Sequence, residues 1–178
     1  MMVEEKDNKA VETILLADDN PDNLKVMGSM LEQYGYGVRV ATNGNQAYSS
    51  IKTLPPDLVL LDIHMPGLDG YELCEKLKQD VALADIPVIF ISALSETYNK
   101  VKGFELGAVD FIVKPFELEE VKVRVKTHLK LRQQMQEIKS NNKSMVDREL
   151  RIIELKQEVN DAMVKAGDEP IYLNVWDT

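Results

Sequence analysis

Five short apolar runs, separated by longer amphipathic segments, restrict the possible fold of this chain more than any other feature of its sequence. The runs are Thr13–Ala17, Gly37–Ala41, Leu58–Leu61, Val88–Ile91 and Val109–Val113. They are rich in valine, isoleucine and leucine and alternate little with polar residues, which is typical of strands buried on both faces of a parallel sheet. The pattern therefore predicts an α/β fold, a doubly wound five-stranded parallel sheet with helices on both faces.

Helices are predicted between these strands and after the last one. The segments are Pro21–Tyr34, Asn45–Leu54, Tyr71–Gln79, Ser95–Leu106 and a long helix from Glu117 onward. Asn20 is a suitable N-cap for the first helix, and Pro21 suits its first position. Gly35 and Gly107 follow the ends of two predicted helices, where glycine is common.

The composition excludes several classes of function. The 178 residues include 30 acidic and 21 basic side chains, and this excess of acid argues against general binding to nucleic acid or anionic membranes. A single cysteine excludes a disulfide framework and a zinc site with several thiolates. Since no apolar run approaches the roughly 20 residues that span a bilayer, we expect a cytoplasmic protein without membrane insertion.

Polar side chains follow four of the five predicted strands, at the edge where doubly wound sheets form their sites. Asp18 and Asp19 follow the first strand, and Asp62, Ser92 and Lys114 follow the third, fourth and fifth. Three crowded carboxylates repel one another unless a cation lies between them, and hard oxygen ligands suit Mg²⁺. A carboxylate beside Mg²⁺ can accept a phosphoryl group, whose oxygens a hydroxyl and an ammonium group can bind.

Each of these residues has an ordinary structural explanation when it is taken alone. An Asp-Asp pair or a serine after a strand is commonly a helix cap or part of a turn, and aspartate is common in a turn rich in proline and glycine. A lysine before proline is commonly a surface charge. Their joint appearance at four strand ends of one predicted sheet favours the phosphoacceptor interpretation.

Four segments that occur in order resemble the receiver domain of two-component response regulators. They are ILLADDNPDNLKVM, DLVLLDIHMPGLDGYELCEKLK, IPVIFISAL and GAVDFIVKPF. The resemblance covers about residues 13–132 and implies a flavodoxin-like sheet with strand order 2-1-3-4-5.

The resemblance also implies a role for each residue of the site. Asp62 would accept the phosphoryl group from a phosphohistidine of a sensor histidine kinase or a histidine phosphotransfer protein. The Mg²⁺ ligands would be Asp18, Asp19, Asp62 and the backbone carbonyl of His64. Ser92 and Lys114 would bind the phosphoryl group.

A conformational switch is implied as well. The Lys114-Pro115 peptide would be cis, and Phe111 would swing inward as Ser92 moves towards the phosphoryl group, changing the face made by helix 4, strand 5 and helix 5. Because this position holds Phe111 rather than tyrosine, no hydroxyl can anchor the ring, and we expect weaker coupling. Gly70 is expected to allow a close backbone approach or a positive φ, and Cys74 to lie in the core.

A ladder of apolar residues with a seven-residue period follows the receiver-like region. Its members are Leu131, Ile138, Met145, Ile152, Val159 and Ala166. The ladder predicts a coiled-coil seam that continues helix 5 and favours a parallel homodimer. Polar residues at the second seam position and the weak helix formers around Ser140 leave an alternative of two helices. The second would cover about Met145–Lys165, with Ser144 as N-cap and Gly167 as stop.

The predicted organisation therefore has four parts. Residues 1–11 form a flexible leader, 12–132 the receiver domain, 133–166 a coiled-coil or two-helix signalling extension, and 167–178 a tail of unknown role.

We expect a phosphorylation switch and not an enzyme, apart from its own phosphotransfer and autodephosphorylation. A phosphohydrolase with an aspartyl nucleophile would carry it after the first strand, with a second acid two residues later, and this spacing is absent. The complete acidic site also disfavours a scaffold that works without phosphorylation. The remaining alternative is the receiver and linker of a longer regulator whose output enzyme is absent from this chain.

Overall fold

Strands and helices alternate along the chain as predicted. The structure is a computed structural model that describes residues 11–93 and 99–172. Its elements are β1 (Thr13–Ala17), α1 (Pro21–Gln33), β2 (Gly37–Ala41), α2 (Gly44–Thr53), β3 (Leu58–Asp62), α3 (Gly70–Gln79), β4 (Val88–Ala93), α4 (Asn99–Glu105), β5 (Asp110–Lys114) and α5 (Leu118–Ala166). Most of the predicted leader, the first residues of the predicted fourth helix and the end of the tail lie outside the described residues.

The sheet has five parallel strands in the order β2-β1-β3-β4-β5, which confirms the predicted fold class. Three strands run further than predicted, since β3 ends at Asp62, β4 at Ala93 and β5 at Lys114. Ladder pairing reaches these positions, because Asp62 pairs with Ile91 and Lys114 pairs with Ala93. Two of the predicted site residues are therefore the last residues of their strands and are held by the sheet.

Two apolar cores lie on opposite faces of the sheet, as the alternation of side chains along a strand requires. Leu15 belongs to the core that packs against α2 and α3, whereas its neighbours Ile14 and Leu16 belong to the core under α1 and α5. Cys74 lies in the first core, as predicted, and burial raises the pKa of its thiol to about 11. A thiol in this state is a packing residue and a poor nucleophile.

Helix α5 is continuous from Leu118 to Ala166, so the two-helix alternative does not occur in this structure. Ser144 is inside the helix, where its hydroxyl donates to the carbonyl of Ser140 at 3.1 Å and does not act as an N-cap. The helix stops at Gly167, whose φ is +87°, as predicted.

The chain divides into two compact units, residues 1–132 and 133–178. In the second unit, Asn160 forms two hydrogen bonds with the backbone of Tyr172, at 2.7 and 3.1 Å, so the chain after Gly167 turns back along the helix. Within the described ranges, no helix is both long enough and apolar enough to cross a membrane.

Arg132 holds the last part of α5 in the first unit against the amino-terminal ends of the strands. Its Nη1 donates to the buried carbonyl of Pro56 at 2.8 Å and lies 3.8 Å from a carboxylate oxygen of Asp57. Asp57 in turn accepts a hydrogen bond from the backbone nitrogen of Thr13 at 2.8 Å.

We expect Arg132→Met to lower the free energy of unfolding by about 1–3 kcal/mol, because the Pro56 carbonyl would lose its charged donor while the aliphatic packing is kept. The measurement is urea unfolding of the whole chain. Lys130→Met, at an exposed position of the same helix, is the control and should leave stability nearly unchanged. Equal effects of the two substitutions would show that the Arg132 contact contributes nothing.

Candidate functional site

Three carboxylates and one ammonium group meet at the carboxyl ends of the strands. Oxygen atoms of Asp18, Asp19 and Asp62 all lie within 4.8 Å of one another. Asp18 and Asp62 are buried, whereas Asp19 is exposed. The Nζ of Lys114 lies 3.1 Å from Asp18 Oδ2 and 2.5 Å from Asp62 Oδ2. The structure therefore brings together the residues that the sequence placed on strands 1, 3 and 5.

The loop after β1 and the first turn of α1 orient the Asp18 carboxylate. It accepts hydrogen bonds from the backbone nitrogen of Asn20 at 2.8 Å and from Asn23 Nδ2 at 2.9 Å. Asn20 is also the N-cap of α1, as predicted, because its side chain accepts from the backbone nitrogen of Asp22. The sequence pattern does not single out Asn23. Its position in the first turn of the helix after Asp18-Asp19 could have indicated a contact with these acids.

The loop after Asp62 is held close to the carboxylate of Asp62. The backbone nitrogen of His64 donates to Asp62 Oδ1 at 3.2 Å, and the nitrogen of Gly70 donates to the carbonyl of Ile63 at 2.9 Å. A Cβ atom on Gly70 would lie 2.4 Å from the carbonyl oxygen of Asp62, so the predicted close approach is confirmed, and φ is not positive. Asp69 starts α3 through a capping box, which the sequence interpretation did not include.

The electrostatics of the site leave it with an excess of negative charge. Burial raises the pKa of the Asp62 carboxyl, and Lys114 offsets only part of this effect. Burial alone would lower the pKa of the Lys114 amine, but its hydrogen bonds to Asp62 and Asp18 outweigh burial and raise it. One ammonium group against three carboxylates leaves two negative charges unbalanced when all three are ionised. Oxygen donors with this charge fit a divalent cation such as Mg²⁺.

The Ser92 hydroxyl is buried, and no residue in the described part of the chain forms a hydrogen bond with it. Its side chain is buried next to the carboxyl end of β4, and its Oγ atom has no hydrogen-bond partner among the described residues. A buried hydroxyl without a partner costs about 1–3 kcal/mol, and an oxygen atom of a bound group would remove this cost. The arrangement fits the predicted contact between Ser92 and a phosphoryl group.

The predicted switch region is built around Phe111 on β5. Phe111 is 5% exposed, and its ring contacts the rings of Phe90, at 5.3 Å between centroids, and Phe104, at 5.0 Å. The ring is thus on the inner side of β5 in this structure. The Lys114-Pro115 peptide that follows is cis, which confirms the sequence expectation.

The family model of the response regulator receiver domain matches residues 14–126, which include all of these side chains. The chain belongs to this family. The crystal structure of the receiver domain of Francisella response regulator 1452 has the same fold, with a TM-score of 0.63, 34% identity and coverage of 67% of this chain and 97% of that one.

Two curated relatives share the receiver region but differ in their described activities. The DNA-binding transcriptional regulator RpaA of Synechocystis is 38% identical over 117 residues, which are 66% of this chain and 48% of RpaA. A probable cyclic di-GMP phosphodiesterase of Vibrio cholerae is 44% identical over 117 residues, which are 66% of this chain and 26% of the relative. The chain thus spans half or less of each of these relatives.

We expect Gly70→Ala to lower the free energy of unfolding by about 1–3 kcal/mol, because the added methyl group would force the Asp62–Ile63 backbone and α3 apart. Gly28→Ala is the matched control, since its Cβ would meet only Val38 Cγ1 at 3.9 Å and alanine favours the helix. Urea unfolding of both variants checks this expectation. A Gly70→Ala variant as stable as the control would contradict the close approach.

Proposed function

We propose that this protein is a phosphoacceptor in two-component signalling, with Asp62 taking a phosphoryl group from a phosphohistidine of a sensor histidine kinase or a histidine phosphotransfer protein. The observation that carries the proposal is the buried Asp62 carboxylate, 2.5 Å from the Lys114 ammonium group and beside Asp18 and Asp19. Membership of the receiver family supports it.

The chemistry follows from the side chains at the site. A carboxylate oxygen of Asp62 attacks the phosphorus atom, a P–O bond forms, the P–N bond breaks, and the histidine imidazole leaves with the bonding electrons. Lys114 stays against the new acyl phosphate and balances part of its charge. The hydroxyl of Ser92 donates to a phosphoryl oxygen and thereby gains the partner that it lacks.

Magnesium is the proposed cofactor. Asp18, Asp19 and Asp62, with the backbone carbonyl of His64, would hold the ion. When bound, it reduces the repulsion between the incoming phosphoryl oxygens and the carboxylates. Within the protein, Asn23 and the Asn20 nitrogen keep the Asp18 oxygens oriented towards the cluster.

The output of this reaction is proposed to be a change of surface. Movement of Ser92 towards the phosphoryl group alters the space beside Phe111, and with it the face formed by α4, β5 and α5. The protein would act as a switch, and its only reactions would be its own phosphorylation and dephosphorylation. Its proposed location is the cytoplasm.

A parallel dimer through α5 is the proposed form of association. The seam residues stand exposed on the single helix, with Met145 at 62% and Ile152 at 43% exposure. Their seven-residue period suits a partner helix of the same sequence, which would cover them. Among the described residues, the returning chain around Tyr172 binds Asn160 and leaves the neighbouring seam residue Val159 40% exposed.

A second candidate is that these residues are the receiver and linker of a longer regulator. The observation that favours it is the length of the relatives, of which RpaA is matched over 48% and the Vibrio cholerae protein over 26%. The reading frame around the coding sequence distinguishes the two candidates, since a fused DNA-binding or enzymatic domain would establish the second.

We expect acetyl phosphate and Mg²⁺ to add one phosphoryl group to the protein and Asp62→Asn to abolish the addition, because the amide is not a nucleophile at phosphorus. Intact-mass spectrometry is the measurement. Asp22→Asn, at an exposed acid of α1, is the control and should be phosphorylated as the wild type is. Full phosphorylation of Asp62→Asn, or none of the wild type, would overturn the proposal.

We expect Ile152→Lys to convert the dimer into monomers, because it places a charge in the apolar seam. Val146→Lys is the control, since Val146 is equally apolar and 54% exposed but lies one residue off the ladder. Sedimentation equilibrium at tens of micromolar protein measures the association. Monomeric wild type, or equal loss of dimer in both variants, would show that the ladder is not the interface.

A further inference from the structure

Gly103 in α4 leaves room for the ring of Phe111. A Cβ atom at position 103 would lie 2.3 Å from Phe111 Cζ and 3.1 Å from two ring atoms of Phe90. Non-bonded carbon atoms are comfortable at about 3.5–4.0 Å, so the ring occupies the volume that any side chain at this position would need. A side chain at residue 103 would therefore require the Phe111 ring or α4 to shift.

Glycine at position 103 destabilises α4, which indicates that the contact between Gly103 and Phe111 has a structural purpose. In the described part of the chain, helix α4 covers Asn99–Glu105, and Gly103 lies in its interior. Glycine inside a helix is less favourable than alanine by about 1 kcal/mol. Gly28 in α1 is a helical glycine with free space around it, because a Cβ there would meet a single atom at 3.9 Å. Packing against Phe111 accounts for Gly103, whereas no comparable contact accounts for Gly28.

The contact joins the buried ring to the surface of the first unit. Phe104 follows Gly103 in the chain, and its ring meets the edge of the Phe111 ring at 67°, with 5.0 Å between centroids. Phe104 is 52% exposed, whereas Phe111 is 5% exposed. A displacement of the Phe111 ring would therefore change its contacts with both Phe104 and α4. Phe111 has no hydroxyl that could anchor it, so this steric fit holds the ring.

We propose that Gly103 is the positioning residue for Phe111: it admits the ring to the space under α4 and so couples β5 to the exposed Phe104. This inference rests on the proposed function for the role of Phe111 as a switch. Its structural part, the packing of Phe111 against Gly103, is independent of phosphorylation at Asp62.

A double-mutant cycle tests the coupling. The proteins are the wild type, Gly103→Ala, Phe111→Leu and the double variant, with Gly28→Ala as the helical control. Urea unfolding should show a loss of stability for Gly103→Ala that largely disappears when Phe111→Leu is present. Gly28→Ala should show no loss. If Gly103→Ala alone does not fold, a folded double variant supports the inference and an unfolded one contradicts it.

The position of the ring provides a second measurement. The chain has four phenylalanines, so uniform labelling with fluorophenylalanine gives four ¹⁹F resonances, and the one lost in Phe111→Leu belongs to Phe111. We expect Gly103→Ala to increase the solvent isotope shift of this resonance, because the ring moves outward. An unchanged Phe111 resonance together with no rescue of stability in the double variant would overturn the inference.

Phosphorylation by acetyl phosphate, followed by intact mass in the same proteins, separates this inference from the proposed function. A wild type that takes no phosphoryl group contradicts the proposed function, whatever the cycle shows. A wild type that is phosphorylated, with no coupling between positions 103 and 111, contradicts this inference alone.

Discussion

The ion pairs of Lys114 with two buried carboxylates are the interaction on which the rest of the site depends. Asp18 and Asp62 lie at the ends of neighbouring strands, whereas Lys114 comes from β5, two strands away from β3. An uncompensated buried charge costs several kcal/mol, so this ammonium group lowers the cost of keeping two buried carboxylates ionised at one edge of the sheet. Lys114 therefore ties three strands together while it contacts the oxygen that is proposed to react.

The negative charge that Lys114 does not balance determines what the site can bind. Two excess negative charges suit a divalent cation, and the buried hydroxyl of Ser92 suits an oxygen of a bound group. Ladder pairing holds Asp62 and Ser92 in their strands, so the proposed phosphoryl transfer would need little reorganisation of these two residues. Phe111 lies on β5, which pairs with the strand that carries Ser92, and it packs against Gly103 of α4. A shift of Ser92 would therefore occur beside this packing contact.

The sequence predicts the sheet and most of the site because both depend on local patterns. Apolar runs identify the strands, and Asp62, Ser92 and Lys114 stand where those runs end. The contribution of Asn23 depends on how α1 lies against β1, and the role of Gly103 depends on a ring from another element, so neither is visible in a local pattern. The continuity of α5 through Ser144 shows the cooperativity of a long helix outweighing weak local propensity.

A crystal structure of the protein with Mg²⁺ and beryllofluoride would show whether Asp62 is the acceptor in a site completed by Asp18, Asp19, Ser92 and Lys114. We expect beryllofluoride to be bonded to a carboxylate oxygen of Asp62, with its fluorine atoms contacting the Ser92 hydroxyl and the Lys114 ammonium group. We also expect a Mg²⁺ ion bound by the carboxylate cluster. Beryllofluoride bound to another residue, or an Asp62 that stays unmodified at saturating concentrations, would contradict the proposed role of Asp62.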